Sequence, residues 1–170
     1  MIIVQDSREQ TSKHDHVLKY FENNGIKVVR SKLFVGDYTL LNNQSVCIDT
    51  KKDVLELFNN LTEDHVRFRN ECIRAQENGI QLIVLIEEKL PRGGLAEWKS
   101  PVWKYTSDKH KKGEPKTRAN PVTMRKVMMT MQKKYGVIFT FCDKSESGKK
   151  IVDILKLGEK NENHLFQDRQ

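Results

Sequence analysis

The stretch Gly36-Asp37-Tyr38-Thr39-Leu40-Leu41-Asn42-Asn43-Gln44-Ser45-Val46-Cys47-Ile48-Asp49-Thr50-Lys51 reads as a β-hairpin, with strand-forming residues on either side of a polar Asn42-Asn43-Gln44 turn. Strands at 36–41 and 45–50 with the turn centred on Asn43 give partner numbers that sum to 86, so Leu40 faces Val46, Tyr38 faces Ile48 and Asp37 faces Asp49. Directly opposed residues share a face of the sheet at about 4.5–5.5 Å between Cβ atoms. Lys51, two residues beyond Asp49, lies on that same face. Two like charges so placed cost stability unless a cation sits between them. Lys51 offsets part of that cost, but converging carboxylates match a divalent cation such as Mg2+ better. The competing reading makes Asp37 a turn residue after Gly36 and Asp49-Thr50-Lys51 an exposed strand end, and a register slip of one residue would separate the carboxylates.

Outward from the hairpin, hydrophobic periodicity alternates between strand and helix. Ile2-Ile3-Val4 forms a short buried strand. His14, Val17, Leu18 and Phe21 mark a helix that stops at Asn24-Gly25, and 26–29 is a second strand. Helices are expected at 53–61 and 64–78, the latter with the apolar stripe Phe68, Cys72, Ala75. Residues 81–86 form the most hydrophobic strand, expected to be central. Asn120-Pro121 starts a helix whose stripe Met124, Met128, Met131, Tyr135 reads as core. A strand at 137–141 and a helix at 147–157 follow, and 158–170 reads as a polar, flexible tail. The expectation is one α/β domain over 1–157: a three-layer α/β/α arrangement with a central mixed sheet, the hairpin lying beside the first strand.

Of the 170 residues, 37% are hydrophobic, and the most apolar stretch, 80–86, is far short of the roughly 20 residues of a spanning helix. No export signal is visible at the N-terminus. Cys47, Cys72 and Cys142 form no C-x-x-C pair, and His14, His16, His65 and His110 show no zinc spacing, so the chain reads as a soluble protein of a reducing, cytoplasmic compartment. The net charge of +7 is uneven: residues 89–134 carry 13 Lys/Arg against 3 Asp/Glu. Such a segment suits a polyanion partner, or is a solvated basic loop. Its core, 87–119, holds several Pro and Gly and little periodicity, as a long functional or disordered loop does. Trp98, Trp103 and Tyr105, set among Lys99, Lys104, Lys109, Lys111 and Lys112 and followed by Lys116 and Arg118, either stack and contact phosphates or pack the loop onto the core. Arg67, Arg69 and Arg74 meet phosphates or form a solvated helix face with Glu71 and Glu77.

Four short motifs occur in order: Asp6-Ser7-Arg8-Glu9 after the first strand, Gly36-Asp37-Tyr38 and Ile48-Asp49-Thr50-Lys51 at the ends of the hairpin, and Asp64-His65-Val66-Arg67-Phe68-Arg69 opening a helix. In that order and spacing the chain resembles the nuclease domain of the XPF family of structure-specific DNA endonucleases, a branch of the PD-(D/E)XK nucleases. Trp98-Lys99, Tyr135-Gly136-Val137, Phe141-Cys142-Asp143-Lys144 and Gly148-Lys149 resemble its short members carried by phages of Gram-positive bacteria. The resemblance implies a restriction-endonuclease-like core, with Asp37 and Asp49 holding Mg2+ or Mn2+ and the Thr50 carbonyl oxygen as a further ligand. It makes Lys51 the lysine of the (D/E)-x-K element, Asp6 a third acidic group near the metal, and Arg8 and Glu9 part of the polar shell. It implies DNA as partner, branched or with strand junctions, bound through residues such as Arg67 and the basic segment. It allows a homodimer, and a place in the host cytoplasm if the chain is phage-borne.

Three positions depart from the family pattern. Asp49 stands where Glu is usual, Thr50 replaces an arginine, and Leu55 replaces an aspartate, with Asp53 and Glu56 nearby but out of register. The last two keep open a catalytically inactive DNA-binding relative. A basic module that engages an acidic protein is the other alternative. In the nuclease reading the metal polarises the phosphoryl oxygen and acidifies bound water, and Lys51 orients that water or stabilises the transition state. Lys51 is the base only if its pKa falls well below roughly 10.4.

Overall fold

The structure, a computed structural model, describes residues 1–9, 11–98 and 121–167, with the side chains of Thr11 and of 159–167 not described. The strands β1 (Ile2–Asp6), β2 (Lys27–Ser31), β3 (Tyr38–Leu40), β4 (Val46–Lys51), β5 (Gln81–Ile86) and β6 (Ile138–Phe141) form one mixed sheet in the order β2-β1-β3-β4-β5-β6. β3 runs antiparallel to both β1 and β4, and the other neighbours are parallel. Around it lie α1 (Asp15–Asn23), α2 (Val54–Thr62), α3 (His65–Glu77), α4 (Pro121–Tyr135) and α5 (Ser147–Gln167). Alternation along the strands divides the core in two. Tyr38, Ile48 and Leu85 pack with Val17 and Phe21 of α1 and Ile151 of α5. Cys47 and Val84 pack with Leu57 of α2, Phe68 and Cys72 of α3 and Met124 of α4. The result is the expected three-layer α/β/α architecture. Among the described residues no helix is long and apolar enough to cross a membrane.

The hairpin register is the expected one, with Tyr38 opposite Ile48 and Thr39 opposite Cys47. Its turn is held by an Asx contact, Ser45 N–H donating to Asn43 Oδ1 at 2.9 Å. The first strand is shorter than expected because Gly36 has φ +70, and a Cβ there would lie 2.9 Å from the Ile48 carbonyl oxygen. Only glycine fits both constraints. Asp37 therefore stands just outside the ladder instead of pairing with Asp49. Its N–H donates to the Ile48 carbonyl at 2.7 Å and its carbonyl accepts from Asp6 N–H at 2.8 Å, which pins it between β4 and β1.

β5 spans the predicted residues and is flanked on both sides. Asp53 is the N-cap of α2, accepting from Glu56 N–H at 2.7 Å, while Glu56 accepts from Lys52 N–H at 2.8 Å. Glu88 receives both the Val54 N–H of α2 and the Trp98 indole N–H, each at 2.7 Å. Trp98 is buried in the core, so of the two roles open to it this residue packs the loop. Met124 and Met128 are buried and Met131 and Tyr135 pack beside them, so that stripe is core. One expectation is corrected: α5 continues to Gln167, past the polar tail's expected start at 158. Gly158 does not stop this helix but lets it approach β4, since a Cβ there would meet Val46 at 2.6 Å.

Candidate active site

The parallel strands β1, β4 and β5 end on the same edge of the sheet, where chain connections leave a crevice, the usual ligand position in open α/β sheets. A cleft of about 700 Å3 lies there, lined by Asp6, Arg8, Glu9, Asp37, Asp49, Thr50 and Lys51. The sequence brings these residues together because β1 delivers Asp6 and β4 delivers Asp49–Lys51, while the Gly36 turn delivers Asp37 between them. Asp37, Asp49 and Lys51 are 7%, 5% and 6% exposed, so this is not an exposed strand end.

Among the described residues, the carboxylates of Asp37 and Asp49 share this buried space with one buried cation, Lys51. Lys51 Nζ lies 2.9 Å from Asp49 Oδ1 and 2.7 Å from Oδ2, but only the first contact has hydrogen-bond geometry, and Oδ2 is a buried oxygen without a hydrogen-bond partner. Thr50, the residue in place of the family arginine, donates both its N–H (2.7 Å) and its hydroxyl (2.6 Å) to Asp37 Oδ2. Burial, followed by the Asp49 charge, raises the Asp37 carboxyl well above its ordinary value, against the opposing pull of Lys51 and Thr50. Burial disfavours the charged Lys51, but Asp49 and Asp37 outweigh it and hold the ammonium above its ordinary value. The two carboxylates thus favour the charged form of Lys51.

A third carboxylate at this point escaped the sequence reading. Glu71 of α3 lines the cleft and accepts the Gly36 N–H at 2.9 Å. Burial and then the Asp49 charge raise its carboxyl, opposed by the Gly36 N–H, Lys51 and Arg74. The signal was present: Glu71 adjoins Cys72 and lies three and four residues from Phe68 and Ala75, at the border of the buried stripe.

Asp6 lies on the same cleft in a different state. Its oxygens accept from Arg8 N–H (2.7 Å), from the Arg8 guanidinium and from Leu33 N–H (3.1 Å). Burial pushes its carboxyl up, yet these hydrogen bonds outweigh it and leave it below the ordinary value. Glu9 lies 3.5 Å from His14 Nε2 at the cleft wall. Arg67 lines the rim with its side chain 75% exposed, with Arg74 from the same helix, and Lys13, Lys52 and Lys144 join them from outside it. Lys99, Trp103, Lys104, Lys109, Lys111, Lys112, Lys116 and Arg118 lie outside the described residues.

The donor set fits a hard divalent ion. Among the described residues no three acidic, His or Cys side chains form a ready-made cage. Mg2+ needs none, because it keeps several waters and takes one or two carboxylates. Asp49 Oδ2, which has an ion contact with Lys51 but no hydrogen bond, and the excess of carboxylates over Lys51 are what such an ion would satisfy.

The family model described as ERCC4 domain matches residues 5–154. Two solved structures of XPF from Aeropyrum pernix have a similar fold, each at TM-score 0.63. The one in complex with DNA is 19% identical, over 94% of this chain and 66% of that one. The other is 18% identical, over 98% of this chain and 69% of that one. The chain thus spans about two thirds of those proteins. No curated protein matches by sequence.

Proposed function

This chain belongs to the ERCC4 domain family, and from that premise we propose that it is a metal-dependent DNA endonuclease that hydrolyses phosphodiester bonds in branched or junction-containing DNA. The observation that carries the reading is the buried pair Asp37 and Asp49 beside Lys51 in an open cleft. The XPF structure solved with DNA supports the substrate class, through likeness of fold.

Asp37 and Asp49 would hold Mg2+ or Mn2+, with the Thr50 carbonyl as a further ligand. When bound, the ion supplies charge to the scissile phosphoryl group and acidifies attacking water. The protein residues do the rest. Thr50 fixes Asp37 through two donors, so the residue that replaces the arginine orders a carboxylate instead of adding charge. Lys51, whose charged form the two carboxylates favour, serves as a transition-state cation and water-orienting donor. The Lys51 ammonium lies against the Asp49 carboxylate, where it would share that charge with a bound ion. Asp6 and Arg8 shape the cleft wall through their paired turn. The rim cations Arg67, Lys13, Lys52, Arg74 and Lys144 and the basic segment from Lys99 to Arg118 would neutralise phosphates along the bound strand. A homodimer is part of the proposal, checked by sedimentation.

The test is cleavage of linear, flapped, forked and four-way DNA with Mg2+ or Mn2+ by the wild type and by Asp49→Asn. Metal-dependent cutting of branched forms, lost in the variant, is the expected result. Equal cutting by both proteins would assign the activity elsewhere, and no cutting of any form would favour the inactive relative.

A further inference from the structure

Resting on the nuclease reading, we infer that Glu71 is a positioning residue: its carboxylate tethers the Gly36 amide and so sets where Asp37 stands in the active site. Four observations carry this. Glu71 comes from α3, an element the hairpin itself does not contain, and its Oε1 accepts the Gly36 N–H at 2.9 Å. Gly36 is confined on its other side, with φ +70 and its Cα so close to the Ile48 carbonyl that a Cβ would lie 2.9 Å from that oxygen. The next residue is Asp37, whose N–H donates to that same carbonyl and whose carbonyl accepts from Asp6 N–H. Its carboxylate is in turn aligned by Thr50.

β1 and β4 thus hold Asp37 itself, and Glu71 is the contact that fixes the chain leading into it. A residue before the strand with no ladder partner has backbone freedom, and Gly has more than any other residue. The side chain from α3 removes that freedom at the residue that leads directly into Asp37. The tether also links α3, which carries the rim cations Arg67 and Arg74, to the carboxylate pair. Supporting contacts of this kind hold metal-binding carboxylates in place, and losing one typically costs 10–100-fold in metal affinity or activity.

The test compares wild type with Glu71→Gln, which keeps an acceptor oxygen without the charge, and Glu71→Leu, which keeps volume without the acceptor. Three readouts are taken on each protein: amide exchange of Gly36 and Asp37 without metal, Mn2+ affinity by calorimetry, and kcat and KM on forked DNA. In Glu71→Leu the Gly36 amide should lose protection, Mn2+ affinity should fall by roughly 10–100-fold, and kcat should fall with it while KM changes little. Glu71→Gln should keep the amide protected and restore most of both. A Gln variant as impaired as Leu with its Gly36 amide still protected would overturn the tether and assign the effect to charge. An unaffected Leu variant would overturn it outright. If the wild type binds no Mn2+ and cuts no DNA, the nuclease reading fails and the positioning role falls with it. An amide that still responds to Glu71→Leu would then mark the contact as purely structural.

Discussion

Two aspartates of this cleft have nearly equal burial and opposite chemistry. Asp6 is 2% exposed and Asp37 7% exposed. Asp6 faces Arg8 and two backbone N–H donors, and its carboxyl is held below the ordinary value. Asp37 also receives two donors, both from Thr50, but burial, followed by the facing Asp49 charge, drives its carboxyl up. Low surface exposure by itself therefore does not decide which acid is functional. The balance of neighbouring charge does: a carboxylate with its own cation is finished as a structural element, whereas a pair sharing one lysine still lacks positive charge.

The largest effect that would test this contrast is on cleavage. Asp37→Asn or Asp49→Asn should lower metal-dependent turnover by at least about a thousand-fold, since each removes part of the seat for a charge worth several kcal/mol in the transition state. Mn2+ should raise the melting temperature of the wild type and not of these variants. An Asp6→Asn protein as inactive as either, and equally unresponsive to Mn2+, would break the distinction.

Stability should show the opposite ranking. Asp6→Ala leaves the buried Leu33 N–H and the part-buried Arg8 N–H without an acceptor and should cost about 1–3 kcal/mol by urea unfolding. Asp37→Asn should leave the metal-free protein as stable or slightly more so, because like-charge repulsion is relieved.

The pH dependence sharpens the same point. A raised folded-state pKa means that the native protein holds the Asp37 proton more tightly than the unfolded chain does. That contribution to stability is fully present below the ordinary value of 3.8 and is lost as pH rises from there through the raised folded value. Asp6, with its lowered pKa, acts in the other direction, and its contribution is lost as pH falls below the same ordinary value. Unfolding curves of metal-free wild type and Asp37→Asn should therefore converge at low pH and separate as pH rises, with the variant the more stable. The smallest effect should be that of Thr50→Val, which removes one of the two donors to Asp37 and should cost about 1 kcal/mol or a few-fold in rate.

Much of this was legible in the sequence because the determining interactions are local. The Asn43-centred turn gave the right register, with Tyr38 opposite Ile48, and the apolar stripes of α3 and α4 gave their buried faces. What escaped depends on contacts between distant segments. The motif order placed Asp6 beside the metal, but only the fold shows that Leu33, 27 residues away, and Arg8 occupy its oxygens. Glu71 read as a member of a charged helix face because its partner, the Gly36 amide, is 35 residues away. The end of α5 is not legible because the apolar stripe ends before the hydrogen-bonded helix does, and nothing local marks Gly158 as a close contact with Val46.

The indole of Trp98 has a further use. It is buried, and its N–H is bound to the same Glu88 carboxylate that receives the first amide of α2, the helix that begins three residues after Lys51. Trp103 is the only other tryptophan of the chain, so in a Trp103→Phe protein all indole fluorescence comes from this one position. Its emission would be that of an apolar environment, sensitive to any shift of the carboxylate it donates to. The protein thus contains its own optical gauge of whether an event at the Asp49–Lys51 strand end is transmitted to the base of the neighbouring helix.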